Sequence, residues 1–149
     1  MRIAPLVLLL AVLWSAPARA ESGAFGLGLI VGQPTGITGA YELSDNTAID
    51  AALGLAIFDD RDFYLHVEFL YFLPTLIRGS DVDLRAYLGI GGWLVAHNDP
   101  VIGARAPFGL SLDFNSVPLQ LFLEASVLIA LVPDTGGDVR GALGFRYYF

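Results

Sequence analysis

His66 and Glu68 are the residues whose types and spacing come nearest to a catalytic pair. They are two positions apart, so on an extended strand both side chains point to one face. An imidazole beside a carboxylate can act as a general base, and Ser111 or Ser126 on the same face would complete a triad. A histidine beside an acid is more often a structural partner, so we expect no enzymatic activity.

Metal and cofactor motifs are absent from the sequence. The chain has two histidines and no cysteine, and neither His-x-x-His nor a similar ligand spacing occurs. Glycines 26, 28 and 32 resemble a dinucleotide fingerprint, but that motif requires a following helix, and the pattern here is that of a strand. We therefore expect no cofactor and no metal.

Charged residues recur on one side of alternating stretches, opposite an apolar side. If that charged side faces the inside of a closed barrel, its groups must be paired, because an isolated buried ion is very costly. The pattern predicts an ion-pair network that plugs the lumen, with a gated pore or proton path as the alternative. The predicted network comprises Glu42, Asp50, His66, Glu68, Asp83, Arg85, Asp113, Glu124, Arg140 and Arg146.

The strands that would position these groups are clearest at the end of the chain. Residues 138–149 alternate strictly, with apolar residues or glycine at odd positions and arginines among the even ones. Similar alternation predicts eight strands, most of them near the ~9–11 residues of a tilted membrane-spanning strand. The predicted strands are 24–31, 36–43, 47–57, 62–73, 82–95, 108–114, 119–131 and 138–149. We also expect a bulge at Gly91-Gly92, and a longest loop from His97 to Pro107.

Export is indicated by the N-terminus. Arg2, an apolar run and Ala18-Arg19-Ala20 form a secretory signal peptide over residues 1–20, which leaves 21–149 as one barrel domain. The chain is 55% hydrophobic with mean hydropathy +0.63. Without the leader, six arginines face fifteen acidic residues, a formal charge near −9, so nucleic acid is not an expected partner. The absence of cysteine excludes disulfides.

Aromatic residues concentrate at one end of the predicted strands. If the first strand rises from the periplasm, they fall at the periplasmic rim, as in the aromatic girdles of membrane barrels. The predicted girdle comprises Phe25, Tyr41, Tyr71, Phe114, Tyr147 and Phe149.

A leader, eight alternating strands and a terminal Tyr-Tyr-Phe together resemble the small outer-membrane barrels of the OmpA/OmpX type. The resemblance implies an all-β, eight-stranded antiparallel up-and-down transmembrane barrel in the bacterial outer membrane, surrounded by its lipid. It also implies that Phe145, Tyr147 and Phe149 form the signal read by the barrel assembly machinery. The extracellular loops are shorter than is typical of that family, which weakens any role that needs a large exposed binding surface.

The function expected from these observations is that of an integral outer-membrane β-barrel with a structural or interaction role. A small channel is one alternative. A soluble exported lipid-binding barrel of lipocalin type is another, although it needs an apolar interior. A lipid-modifying enzyme is the most distant alternative, because the His-x-Ser pairing expected of a deacylase is missing. We expect a monomer, but the sequence leaves the oligomeric state open.

Overall fold

The computed structural model describes residues 24–56, 62–96 and 98–149, and it consists of β-strands and short turns. The predicted signal peptide lies outside the described residues. The strands are β1 (Phe25–Gly32), β2 (Thr35–Glu42), β3 (Thr47–Ala56), β4 (Asp62–Phe72), β5 (Ile77–Arg78), β6 (Val82–Ala96), β7 (Val101–Phe114), β8 (Leu119–Val132) and β9 (Gly136–Tyr148).

The strands form a closed antiparallel barrel. Each long strand pairs with the next one along the chain, and β1 pairs with β9 to complete the ring. The two-residue β5 continues the edge of β4, because both pair with β6, at different levels. Eight strands therefore surround the lumen, which confirms the expected up-and-down topology.

Side chains alternate between the outside and the lumen, as the period of a strand requires. On β4, Val67 and Phe69 are exposed, whereas the alternate residues His66, Glu68 and Leu70 are buried. The same alternation places large apolar residues on the outside of every long strand. The facing predicted from the sequence is thus confirmed along the described strands.

Inward-facing glycines leave space for aromatic rings in the lumen. A Cβ atom on Gly26 would lie 2.8 Å from the Tyr148 ring, and one on Gly103 would lie 2.7 Å from Trp93 Nε1. Such contacts are shorter than real side chains allow, so a larger residue at position 26 would displace the Tyr148 ring, and one at position 103 would also clash with the Ile129 carbonyl oxygen. The glycines of β1 therefore serve packing, as expected, and no helix follows them.

Two predictions about β6 and β7 were wrong. β7 begins at Val101, seven residues earlier than predicted, so most of the expected long loop is strand. Pro107 lies inside it, and the β6–β7 pairing is interrupted there, between the Leu88–Phe108 and Gly91–Arg105 pairs, since proline has no N–H to donate. The predicted Gly91-Gly92 bulge is absent, because β6 pairs with β4 in unbroken register. The register shifts instead between β7 and β8, where consecutive Ile102 and Gly103 pair with Val132 and Ala130.

The barrel has two unlike ends. We call the end where β1 begins and β9 finishes the terminal end, and the opposite one, with the turns at residues 33–34 and 133–135, the far end. Between β4 and β6, the terminal end carries the 73–81 connection that includes β5.

Among the described residues, no helix has the length and apolar character needed to cross a membrane.

Candidate functional site

Arg105, on β7, lies at the centre of the lumen and is only 1% exposed. Its Nε atom donates to Glu68 Oε2 at 2.8 Å, and its Nη2 atom donates to Glu124 Oε1. Its Nη1 atom donates to the Tyr64 hydroxyl at 3.2 Å. One planar guanidinium thus joins β4, β7 and β8, which only arginine can do with so many fixed donors.

Arg146, on β9, is also buried in the lumen, and it lies on the side of Arg105 that faces the terminal end. Its Nη2 atom donates to Asp50 Oδ2 at 2.6 Å and to Thr38 Oγ1 at 2.9 Å. Its Nη1 atom donates to Gln120 Oε1 at 3.2 Å, and its guanidinium carbon lies 4.3 Å from the centre of the Phe122 ring. All three nitrogens of this buried cation therefore donate to acceptors, and one of its faces lies on an aromatic ring.

The two arginines and their acids form what we call the central network: Asp50, Glu68, Arg105, Glu124 and Arg146. Neutral donors complete it, since Tyr87 donates to Glu124 Oε2 at 2.7 Å and Ser126 donates to Glu124 Oε1 at 3.3 Å. All five members are buried. Burial without such bonds would be very unfavourable, so these groups depend on one another.

A separate ion pair lies near the terminal end. Arg85 Nε donates to Asp113 Oδ2 at 2.6 Å, and the two side chains are 18% and 25% exposed. Gln120 Nε2 also donates to Asp113, and Arg85 lies over the Phe72 ring. This pair forms one wall of a polar cavity of about 350 Å³. The charged residues lining the cavity are Glu42, Asp45, Arg78, Asp83, Arg85 and Asp113.

The far end of the lumen contains a cluster of aromatic and apolar side chains. Tyr64, Trp93 and Leu128 pack together there, and the Tyr64 and Trp93 rings are stacked with centres 6.3 Å apart. Trp93 Nε1 donates to the Ala104 carbonyl at 3.0 Å, so its polar atom is satisfied. Beside this cluster, Arg140 pairs with Asp138 at 2.9 Å. Those two side chains are 12% and 56% exposed.

The structure divides the predicted lumen residues among three levels. Asp50, Glu68, Glu124 and Arg146 belong to the central network, with His66 next to it. Glu42, Asp83, Arg85 and Asp113 line the terminal-end cavity, and Arg140 lies at the far end.

Arg105, the central member, was missed by the sequence analysis. Because Pro107 was read as a loop residue, Arg105 was placed outside any strand. The signal was nevertheless present, since Arg105, Pro107 and Gly109 continue the inward alternation of Ser111 backwards along the chain.

His66 does not form a triad with either serine. Its Nδ1 atom lies 3.3 Å from the Tyr64 hydroxyl, and its Nε2 atom lies 3.1 Å from Glu68 Oε1. Ser126 donates to Glu124, and Ser111 donates to Asp113 at 3.4 Å. The described residues therefore contain an imidazole–carboxylate pair without the serine that acyl transfer would require.

The predicted girdle residues all lie at the terminal end. Phe25, Tyr41 and Tyr71 are exposed, whereas Phe114, Tyr147 and Phe149 are half-buried, and Phe114 lines the terminal-end cavity. Phe25 and Tyr41 are direct partners across β1 and β2, and the Tyr147 and Phe149 rings meet edge to face at 5.6 Å. The Phe149 backbone N–H donates to the Phe25 carbonyl at 2.8 Å, which fastens the last residue to the first strand. Phe145 is exposed on the same face of β9.

Comparison with known proteins identifies the fold. No protein-family model matches the chain, and no curated protein matches it. The structure is similar to the crystal structure of the N-terminal β-barrel domain of Pseudomonas aeruginosa OprF, with a TM-score of 0.61 and 11% sequence identity. The match covers 87% of this chain and 100% of that one. At this identity the likeness concerns the fold, and it agrees with the resemblance to small β-barrels of the OmpA/OmpX type.

Proposed function

We propose that this chain is an integral outer-membrane β-barrel with a structural or interaction role, closed inside by its ion-pair network. The observation that carries the proposal is the inverted distribution of polarity. Large apolar side chains are exposed on all eight long strands, whereas the central network is buried in the lumen. Such a barrel is suited to a lipid surrounding.

A barrel with apolar side chains outside and charged side chains inside is poorly suited to solution in water. Monomeric soluble proteins rarely expose contiguous apolar patches larger than a few hundred Å². Leu27, Leu29, Phe145 and Leu143 are neighbours on β1 and β9, and all four are exposed. A soluble lipid carrier also needs an apolar interior, whereas the lumen here contains buried carboxylates and guanidiniums. The soluble alternative is therefore disfavoured.

The first test is gel mobility of an outer-membrane fraction with and without boiling. A closed barrel that stays folded in cold detergent should migrate differently after heating, and carbonate washing should leave it in the membrane. A chain recovered from the soluble periplasm, without a heat-dependent shift, would overturn the proposal.

The closed lumen is tested by conductance in a planar bilayer. Because the central network and the far-end cluster both occupy the lumen, we expect no steady ion current from the folded protein. A stable open-channel current would instead support the small-channel alternative and would show that the network opens.

The terminal aromatic residue provides a test of assembly. Deletion of Phe149 should lower the amount of heat-shifted barrel several-fold more than the total amount of chain, because its terminal signal and its bond to Phe25 are both lost. Phe25→Ala is the matched control, since it removes another aromatic residue from the same rim without changing the terminus. Equal folded fractions for the wild type and the Phe149 deletion would exclude an assembly role for this residue.

A further inference from the structure

Asp50, His66 and Glu68 form a compact buried cluster beside the two arginines. Asp50 on β3 lies directly opposite Glu68 on β4, and His66 is two residues before Glu68 on the same inward face. One potential ligand atom from each side chain lies within 4.8 Å of the others. All three residues are at most 2% exposed. One nitrogen and two carboxylate groups thus converge inside the lumen.

In each of the two carboxylates, an arginine donates a hydrogen bond to one oxygen, and the other oxygen accepts no hydrogen bond. Arg146 holds Asp50 Oδ2 and Arg105 holds Glu68 Oε2, whereas Asp50 Oδ1 and Glu68 Oε1 have no hydrogen-bond partner. His66 Nε2 lies 3.1 Å from Glu68 Oε1 but is not aligned with it as a hydrogen bond. Buried acceptors without donors are rare in native proteins, so these oxygens require an explanation.

The formal charges of the central network do not balance. Its three carboxylates, Asp50, Glu68 and Glu124, meet only two guanidiniums, those of Arg105 and Arg146. With a neutral imidazole, one negative charge is left over in a buried site, where an uncompensated ion is strongly unfavourable. A cation placed among these carboxylate oxygens would satisfy them, and a divalent ion would change the formal charge of the network from −1 to +1.

The surroundings of the cluster resemble the outer shell of a metal centre. Ligating carboxylates are usually fixed by a second group on the other oxygen, and ligating histidines by a hydrogen bond on the other nitrogen. Arg146 and Arg105 hold the carboxylates in this way, and the Tyr64 hydroxyl lies 3.3 Å from His66 Nδ1. If Nδ1 keeps its proton for Tyr64, the Nε2 lone pair is available to a cation.

We propose that Asp50, His66 and Glu68 bind a divalent transition-metal ion of the Zn²⁺ type inside the barrel. The mixed nitrogen and oxygen donors favour such an ion over Mg²⁺ or Ca²⁺, which prefer oxygen ligands alone. Tetrahedral Zn²⁺ with bonds of about 2.0–2.2 Å places its ligand atoms roughly 3.3–3.6 Å apart. His66 and Glu68 are already near that spacing, so Asp50 needs the larger adjustment. The inference rests on the lumen geometry and is independent of the membrane proposal.

The test measures metal retained by the folded full-length protein. Cells are grown with added Zn²⁺, and the barrel is extracted in detergent and washed with EDTA to remove loosely held ions. Metal content is then measured by mass spectrometry. Because the cluster is buried, we expect close to one Zn²⁺ per chain to survive the wash. Heat-dependent gel mobility confirms that each preparation is folded.

Variants separate this site from other sources of metal. His66→Gln retains a polar side chain without the imidazole, and Glu68→Gln retains an oxygen for Arg105; each should lower the retained Zn²⁺ at least tenfold. His97→Ala is the matched control, since it removes the chain's other histidine, and it should leave the content unchanged.

A second measurement covers variants that fold poorly and cells that load no zinc. The denatured wild-type chain is refolded into detergent with Co²⁺, and its visible absorption is recorded. Bands typical of a nitrogen- and oxygen-ligated cobalt ion are expected in the folded protein. The proposal is overturned if the wild type takes up neither metal, or if folded His66→Gln retains as much as the wild type. If the wild type takes up neither metal, a bound proton neutralises the surplus negative charge instead.

Discussion

Arg105 and Arg85 both face the lumen and both pair with acids, but their surroundings differ. Arg105 is 1% exposed and contacts Glu68, Glu124 and Tyr64 by direct hydrogen bonds. Arg85 is 18% exposed, and its ion-pair partner is Asp113 in the wall of the terminal-end cavity. Ion pairs of arginine with an acid therefore occur both in the centre of the barrel and at its terminal end, which we call the mouth.

The difference shows that the depth of a salt bridge in the lumen, more than its mere presence, decides how much each partner contributes to stability. At the mouth, water can solvate either partner after the other is removed, so a partly exposed pair contributes little. In the centre, removal of one partner leaves an uncompensated charge without water. We therefore expect the central network to be essential for stability, whereas the mouth pair is expected to be dispensable.

The largest effect is expected for Arg105→Ala. It removes the donors of two buried carboxylates at once, and breaking such a pair costs about 3–5 kcal/mol in the free energy of unfolding. Urea titration of the barrel in lipid vesicles, followed by heat-dependent gel mobility, measures this loss. Arg105→Lys keeps the charge but lacks the planar fork, so it should recover only part of the stability.

A smaller effect is expected for Tyr87→Phe. The Tyr87 hydroxyl donates to Glu124 at 2.7 Å inside the lumen, and a hydrogen bond to a charged group contributes about 1.5–3 kcal/mol. The same urea titration measures it. Tyr41→Phe is the matched control, because that ring is exposed on the outside of β2. Equal losses in the two variants would show that Glu124 does not depend on Tyr87.

The smallest effect is expected for Arg85→Ala. Its pair with Asp113 is partly exposed, so we expect a loss of about 0–1 kcal/mol in the free energy of unfolding. Raising the salt concentration should reduce this difference further, since exposed charges are screened. A loss as large as that of Arg105→Ala would mean that the mouth and the centre do not differ in solvation, which would refute the comparison.

The sequence by itself determined which residues face the lumen. Facing follows from alternation along one strand, and it requires no knowledge of neighbouring strands. Asp50, Glu68, Glu124 and Arg146 could therefore be assigned to the inside, and eight alternating stretches sufficed to predict a closed barrel. Arg105 was the exception, because Pro107 lies in the same strand and a proline usually marks the end of a strand.

Only the tertiary structure decided which of these charges meet, and at what depth. Pairing depends on the stagger between strands, and a register is a property of two strands that neither contains alone. Arg140 and Arg146 are on the same face of β9, yet Arg146 bonds buried Asp50 of β3, whereas Arg140 bonds Asp138 of its own strand at the far end. The convergence of Asp50 on His66 and Glu68 likewise arises from the β3–β4 register. Residues far apart in the sequence acquire a shared chemistry only when closure of the barrel brings their strands together.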